Sequence, residues 1–138
     1  MRPSWPEYAM TLAVAASLRS EDPYQRVGAC ILRHDNSVAA LGYNGAPPGV
    51  EIDWSDRDAR RERVSHAEAS ALRYIRPGEG RIIAVTLRPC KDCIKNIALY
   101  GIKEVYYIQE YDRDEISAKL AGEFGINLIK LDKLNTAL

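Results

Sequence analysis

The run Ile82-Ile83-Ala84-Val85-Thr86-Leu87, followed directly by Arg88-Pro89-Cys90-Lys91-Asp92-Cys93, decides how this chain is read. Its short apolar first half is rich in β-branched residues, which predicts a buried strand. Cys90 to about Tyr100 then predicts a helix that stops at Gly101. Strand, short connection and helix make the first part of a β-α-β unit, completed by a strand over Val105–Ile108. Cys90 and Cys93, three apart, project from one face of that helix near its start. There the positive end of the helix dipole favours thiolate over thiol.

A second short motif, His66-Ala67-Glu68, opens another predicted helix, capped by Ser65, running to about Ile75 and ended by Pro77-Gly78. One imidazole and two thiols supply three ligands of a tetrahedral zinc and leave the fourth position to water, as catalytic zinc sites do. Together the motifs match the H-x-E…P-C-x-x-C signature of zinc nucleobase deaminases, in which the Glu carries protons and does not bind metal. Zinc held this way lowers the pKa of its water to about 7, giving a hydroxide that attacks the ring carbon bearing the amine. Glu68 would take the water proton, protonate the ring nitrogen and help the amine leave as ammonia.

A C-x-x-C by itself also serves structural zinc sites and redox pairs. A closed structural site needs a fourth ligand, and only Cys30 and His34 remain as spare thiol and imidazole. Cys30 lies inside the apolar run Gly28-Ala29-Cys30-Ile31-Leu32 and reads as a small core residue. His34 belongs to the polar turn His34-Asp35-Asn36-Ser37 and reads as solvated.

The remaining elements extend the same pattern. Ser4-Trp5-Pro6-Glu7 reads as a capping box opening a helix to about Leu18, with Asp22-Pro23 as the stop. Val27–Leu32 and Val38–Tyr43 read as a β-hairpin. A long connection over 44–64 carries Gly45, Pro47, Pro48 and Gly49, and its second half has room for a short helix started by Ser55 or Asp56. Asp112-Arg113-Asp114-Glu115 opens a last helix to about Gly122, before a strand over Ile126–Leu131. A hairpin followed by β-α-β crossovers predicts an α/β fold: a three-layer α/β/α sandwich around a five-stranded mixed sheet, as a single domain over 1–138.

With 19 basic and 19 acidic residues the formal net charge is zero, which favours a small-molecule substrate over a polynucleotide held through its phosphates. Apolar stretches such as Met10–Ser17 are too short to cross a bilayer, and no secretory signal is visible. An odd cysteine count with one C-x-x-C favours a reducing compartment, hence a cytoplasmic location.

From about Arg19 to Leu131 the chain resembles the deoxycytidylate (dCMP) deaminases of the cytidine deaminase-like superfamily. The resemblance is carried by Arg19-Ser20-Glu21-Asp22-Pro23, Arg26-Val27-Gly28-Ala29-Cys30-Ile31, Gly42-Tyr43-Asn44-Gly45-Ala46-Pro47-Pro48-Gly49 and the two metal motifs. It extends through Gly101-Ile102-Lys103-Glu104-Val105 and Tyr111-Asp112. It implies hydrolysis of dCMP to dUMP, one Zn2+ per subunit on His66, Cys90 and Cys93, and Glu68 as proton shuttle with Ala67 beside it in the substrate site. Asn44 matches an asparagine that holds substrate, against the alternative of a turn residue in Asn44-Gly45. Tyr111 matches a tyrosine near the nucleotide phosphate, against a packing role. A monophosphate also calls for a guanidinium, with Arg26 the first candidate and Arg57, Arg60, Arg61 and Arg63 behind it.

One departure stands inside the zinc motif: Ser70 replaces the Asn usual in the family, which bears on substrate selectivity. The resemblance further implies a homo-oligomer (dimer, trimer or hexamer) and a dCTP/dTTP effector with Mg2+. The alternative reading is a zinc deaminase of another base or nucleotide: a modified dCMP, a cytidine-type nucleotide or a tRNA adenosine.

Overall fold

The computed structural model describes residues 2–111 and 114–132. Its elements are α1 (Trp5–Ser17), β1 (Gly28–Arg33), β2 (Val38–Tyr43), α2 (Arg57–Arg63), α3 (Ala67–Leu72), β3 (Gly80–Leu87), α4 (Lys91–Leu99), β4 (Glu104–Gln109), α5 (Ser117–Glu123) and β5 (Asn127–Lys130). The strands form a five-stranded sheet in the order β2-β1-β3-β4-β5. β1 pairs antiparallel with both β2 and β3, whereas β3, β4 and β5 run parallel. The sheet is therefore mixed, as the hairpin-then-crossover order predicts.

Alternation along the strands sends side chains into two cores. Ala29 and Ile31 of β1, with Ile83 and Val85 of β3, face α3, α4 and α5 through Ala71, Leu72, Ile94, Ile97 and Ala121. On the other side Cys30, Leu32, Ile82 and Ala84 meet Ala9, Met10 and Ala13 of α1. The result is the α/β/α sandwich expected from the sequence, with Cys30 fully buried in the core. Burial pushes the Cys30 thiol up to about 12. No helix among the described residues is long and apolar enough to cross a membrane.

The local signals hold where the chemistry is local. Ser4 and Glu7 form the reciprocal capping box of α1. Asp56 caps α2, accepting from the amides of Asp58 and Ala59. Helix ends differ where the chain tightens. α1 ends at Ser17, and residues 18–20 continue as i→i+3 turns before Asp22 and Pro23 are reached. α3 ends at Leu72 rather than Ile75, because Tyr74 and Ile75 again donate to carbonyls three residues back.

Ser65 does not cap α3. Its hydroxyl donates to the Gly45 carbonyl at 3.0 Å, and its backbone pairs with Gly45 in an isolated bridge. The N-cap is His66, whose side chain makes no capping bond. For the last helix, Asp112 and Arg113 lie outside the described residues; Asp114 accepts from Ile116 and Ser117, and α5 starts at Ser117. His34 is exposed as expected and contacts the Gly78 carbonyl at 3.0 Å.

Gly42 sets the seat of α3 on the sheet. A Cβ there would stand 2.5 Å from the Ala71 nitrogen and 2.6 Å from the Ala67 carbonyl oxygen, so only glycine lets the helix lie this close to β2. Gly42→Ala should cost about 1–3 kcal/mol by overpacking, lowering the thermal midpoint by roughly 5–10 °C. Gly122→Ala, in α5 where an added Cβ meets nothing within 4 Å, serves as the control and should leave the midpoint unchanged or raise it.

Candidate active site

α3 and α4 begin side by side, and each begins on a ligand. His66 is the N-cap of α3 and Cys90 the N-cap of α4, both in extended backbone with no side-chain capping bond. Their side chains are thereby free for other partners. Cys93 lies one turn into α4, buried beside Ile94. The His66 Nδ1 atom stands 3.2 Å from Cys93 Sγ and 3.6 Å from Cys90 Sγ. A tetrahedral zinc with S and N bonds of ordinary length has an N···S edge of roughly 3.5 Å, so this donor set fits the ion. Among the described residues these three form the group whose ligand atoms all lie within 4.8 Å of one another. Glu68 stands outside that group, as a proton carrier rather than a fourth ligand requires.

Charge at the site follows from burial and neighbours. Glu68 is 4% exposed, and burial raises its carboxyl above the usual range, with the His66 imidazole pulling the other way. The hydrogen bond from Cys93, with further help from His66, draws the Cys90 thiol down to about 4. The same contact and burial raise the Cys93 thiol. The Cys90 thiolate in turn raises the His66 imidazole against the effect of its burial.

His66, Glu68 and Cys90 line a cavity of about 610 Å³, with Cys93 behind them. Of the residues singled out from sequence, His66, Ala67, Glu68, Cys90, Asn44 and Tyr111 all line it, as do Arg57, Arg60 and Arg61. Arg26 does not: it is exposed, and alternation in the extended segment turns Gln25 and Val27 inward instead. Arg63 and Ser70 are also absent from the lining.

Asn44 is buried and heavily bonded. Its Oδ1 accepts from the Val27 amide at 2.8 Å, and its Nδ2 donates to Gln25 O at 2.8 Å and Asp22 Oδ2 at 3.2 Å. Both amide protons are therefore committed, and what remains toward the cavity is acceptor capacity on Oδ1.

Several residues on or behind the cavity wall were given no site role from the sequence. Asp22 served there as a helix stop and as part of the resemblance, and it is fully buried and bonded to Asn44. Tyr24 carries the guanidinium carbons of Arg57 and Arg60 at 5.1 and 5.0 Å from its ring centroid. Arg88 sits inside the opening stretch itself. Its Nη2 donates to the carbonyls of Tyr111 at 2.6 Å and Asp114 at 2.9 Å, tying the segment after β4 to the metal helix. Asp22 also accepts from the nearby Tyr24 and Gln25 amides, but the partners that tie Asp22 and Arg88 to the cavity lie far along the chain.

The model of the cytidine and deoxycytidylate deaminase zinc-binding region matches residues 3–109. The chain belongs to that family. Human deoxycytidylate deaminase is 37% identical over 126 residues, covering 83% of this chain and 71% of the human one. The ComE operon protein 2 of Bacillus subtilis is 34% identical over 144 residues, covering 96% of this chain and 75% of that protein. The dCMP deaminase of cyanophage S-TIM5, solved in complex with dCMP and dUMP, superposes with a TM-score of 0.79 at 30% identity, covering 95% of this chain and 99% of that one. The chain is thus a deaminase of a zinc-binding family, and its His-Cys-Cys group is suited to hold the zinc.

Stripping the metal should expose one reactive thiol in this deaminase. At pH 6 an ordinary cysteine is almost wholly protonated, whereas Cys90, drawn down to about 4 and half-buried, is almost wholly thiolate. Iodoacetamide at pH 6 should label Cys90 first in chelated protein, with Zn2+ protecting it. Cys30, pushed up to about 12, should react only after unfolding. Peptide mapping by mass spectrometry reads all three sites.

Proposed function

We propose that the chain hydrolyses dCMP to dUMP and ammonia, with His66, Cys90 and Cys93 as zinc ligands and Glu68 as the proton carrier. The observation that carries this reading is the buried Glu68 carboxyl, which lines the cavity two residues from His66 yet lies outside the ligand group. Its family and the dCMP- and dUMP-bound relative support the choice of base and nucleotide.

When bound, zinc supplies a water whose pKa is lowered to about 7. Glu68 would take one proton from the attacking water and pass it to the ring nitrogen, then take the second from the newly bonded hydroxyl and hand it to the departing amine. Water and dCMP are consumed, and dUMP and ammonia leave. Burial raises the proton affinity of this carboxyl, so it takes a proton from water more readily than an exposed carboxylate does. Ala67, fully buried next to both groups, presents no side chain that would crowd the ring. Asn44 offers its remaining Oδ1 lone pair to a donor on the substrate, such as a sugar hydroxyl. Tyr111 also lines the cavity.

The 5′-phosphate fits the cationic rim formed by Arg57 and Arg61, both exposed and both lining the cavity. Arg60, though nearer the interior, is already paired with Asp22. The neutral overall charge favours such a local cation pair over a polynucleotide-binding face. Assembly into a homo-oligomer and control by dCTP or dTTP with Mg2+ belong to the same reading through family resemblance.

A panel of dCMP, CMP, deoxycytidine, dCTP and 5-methyl-dCMP, each with and without dCTP or dTTP and Mg2+, tests the substrate. With a tRNA stem-loop assayed alongside, dCMP should be turned over best, with activity largely lost on removing the phosphate; preference for deoxycytidine or for the stem-loop would overturn the reading. Glu68→Gln should retain its zinc while kcat falls by about 10²–10⁴. Full turnover by that variant would remove Glu68 from the mechanism.

A further inference from the structure

α2 roofs the cavity without any buried residue of its own. A helix so placed has no apolar seat, and its docking depends on a few polar contacts. The strongest runs from Arg60, whose side chain is 13% exposed, to Asp22, whose side chain is fully buried. Both Nε and Nη2 of Arg60 reach Asp22 Oδ2, at 2.8 and 2.7 Å.

Asp22 is saturated on both oxygens. Oδ1 accepts from the amides of Tyr24 at 2.8 Å and Gln25 at 3.3 Å, while Oδ2 also takes the Asn44 side chain at 3.2 Å. The turn 22–25 that this carboxylate holds also presents the Tyr24 ring, on which Arg57 and Arg60 stack. One buried carboxylate thus orients Asn44 from below and anchors the cavity's roof from the side.

We propose that Asp22 is a positioning residue and Arg60 its latch: their ion pair docks α2 over the cavity, setting Arg57 and Arg61 for the substrate anion and Asn44 for the rest of the nucleotide. Arg60 on this account is not itself an anion ligand, since its charge is neutralised within the pair. The latch rests on the nucleotide reading for what it holds, though its own opening is measurable without any substrate. α2 also carries its own reporters, because Arg57, Arg60, Arg61 and Arg63 are tryptic sites on a helix with little buried surface.

The test compares wild type with Arg60→Met, Arg60→Lys and Tyr24→Leu, each loaded with zinc and assayed for zinc content, steady-state kinetics and limited trypsin digestion. Arg60→Met should keep one zinc per chain, raise KM for dCMP about tenfold with kcat within threefold, and speed cleavage after Arg57, Arg61 and Arg63 at least fivefold. Arg60→Lys, which keeps the charge but loses the fork, should fall between it and wild type. Tyr24→Leu, at a half-exposed position that does not threaten folding, should show the same two changes more weakly. Saturating dCMP should slow cleavage of wild type more than of Arg60→Met.

Cleavage of Arg60→Met and Tyr24→Leu at the wild-type rate would overturn the latch. So would a higher KM with unchanged cleavage, which makes Arg60 a direct anion ligand, or a fall in kcat alone. If wild type turns over no dCMP, the nucleotide reading fails, while the substrate-free digestion still decides whether the ion pair holds α2.

Discussion

The seating of α3 on β2 over Gly42, where backbone meets backbone with no room for a Cβ, fixes where His66 and Glu68 stand relative to the sheet. α4 is placed independently, by β3 and by Ile94 and Ile97 in the same core. Because both helices start at one end of the sheet, their first residues converge, and the metal donors come from two N-caps and one residue a turn further on. Neither cap residue spends its side chain on its own helix. The helix dipoles point positive ends at the site, which favours thiolate and therefore metal binding.

Electrostatics then divides the cavity into two ends. At the inner end burial keeps Glu68 reluctant to ionise, while Cys93 and His66 beside Cys90 lower its thiol. At the outer end arginines from α2 gather over Tyr24, and Asp22 cancels the one that reaches deepest. In the proposed reaction the ring is protonated and the phosphate held by these two different chemistries, within about 610 Å³. Arg88, also on the cavity wall, ties the end of β3 to the segment after β4 through the Tyr111 and Asp114 carbonyls.

The element order, the mixed sheet and the family were legible because period-two strands, capping boxes and the two metal motifs are local patterns. Asp56 as the cap of α2 and Cys30 as core were legible for the same reason. Ser65 misled because a serine before a helix has the right chemistry for a cap, and only the fold reveals that Gly45 competes for it. Arg26 misled through its nearness to the hairpin, whereas the alternation of Gln25 and Val27 turns it outward. Asp22 holds its own turn locally, but its contacts to Asn44 and Arg60, like those of Arg88, span 22 to 38 residues, and no short window of sequence contains both sides of them.

X-ray absorption at the zinc edge on the zinc-loaded protein tests the central claim most directly, that two helix starts build a three-ligand site with room for water. The account predicts one zinc per chain with two sulfur neighbours at about 2.3 Å and two lighter nitrogen or oxygen neighbours at about 2.0–2.1 Å. A first shell with a third sulfur, or one that loses a light neighbour in Glu68→Gln, would contradict it.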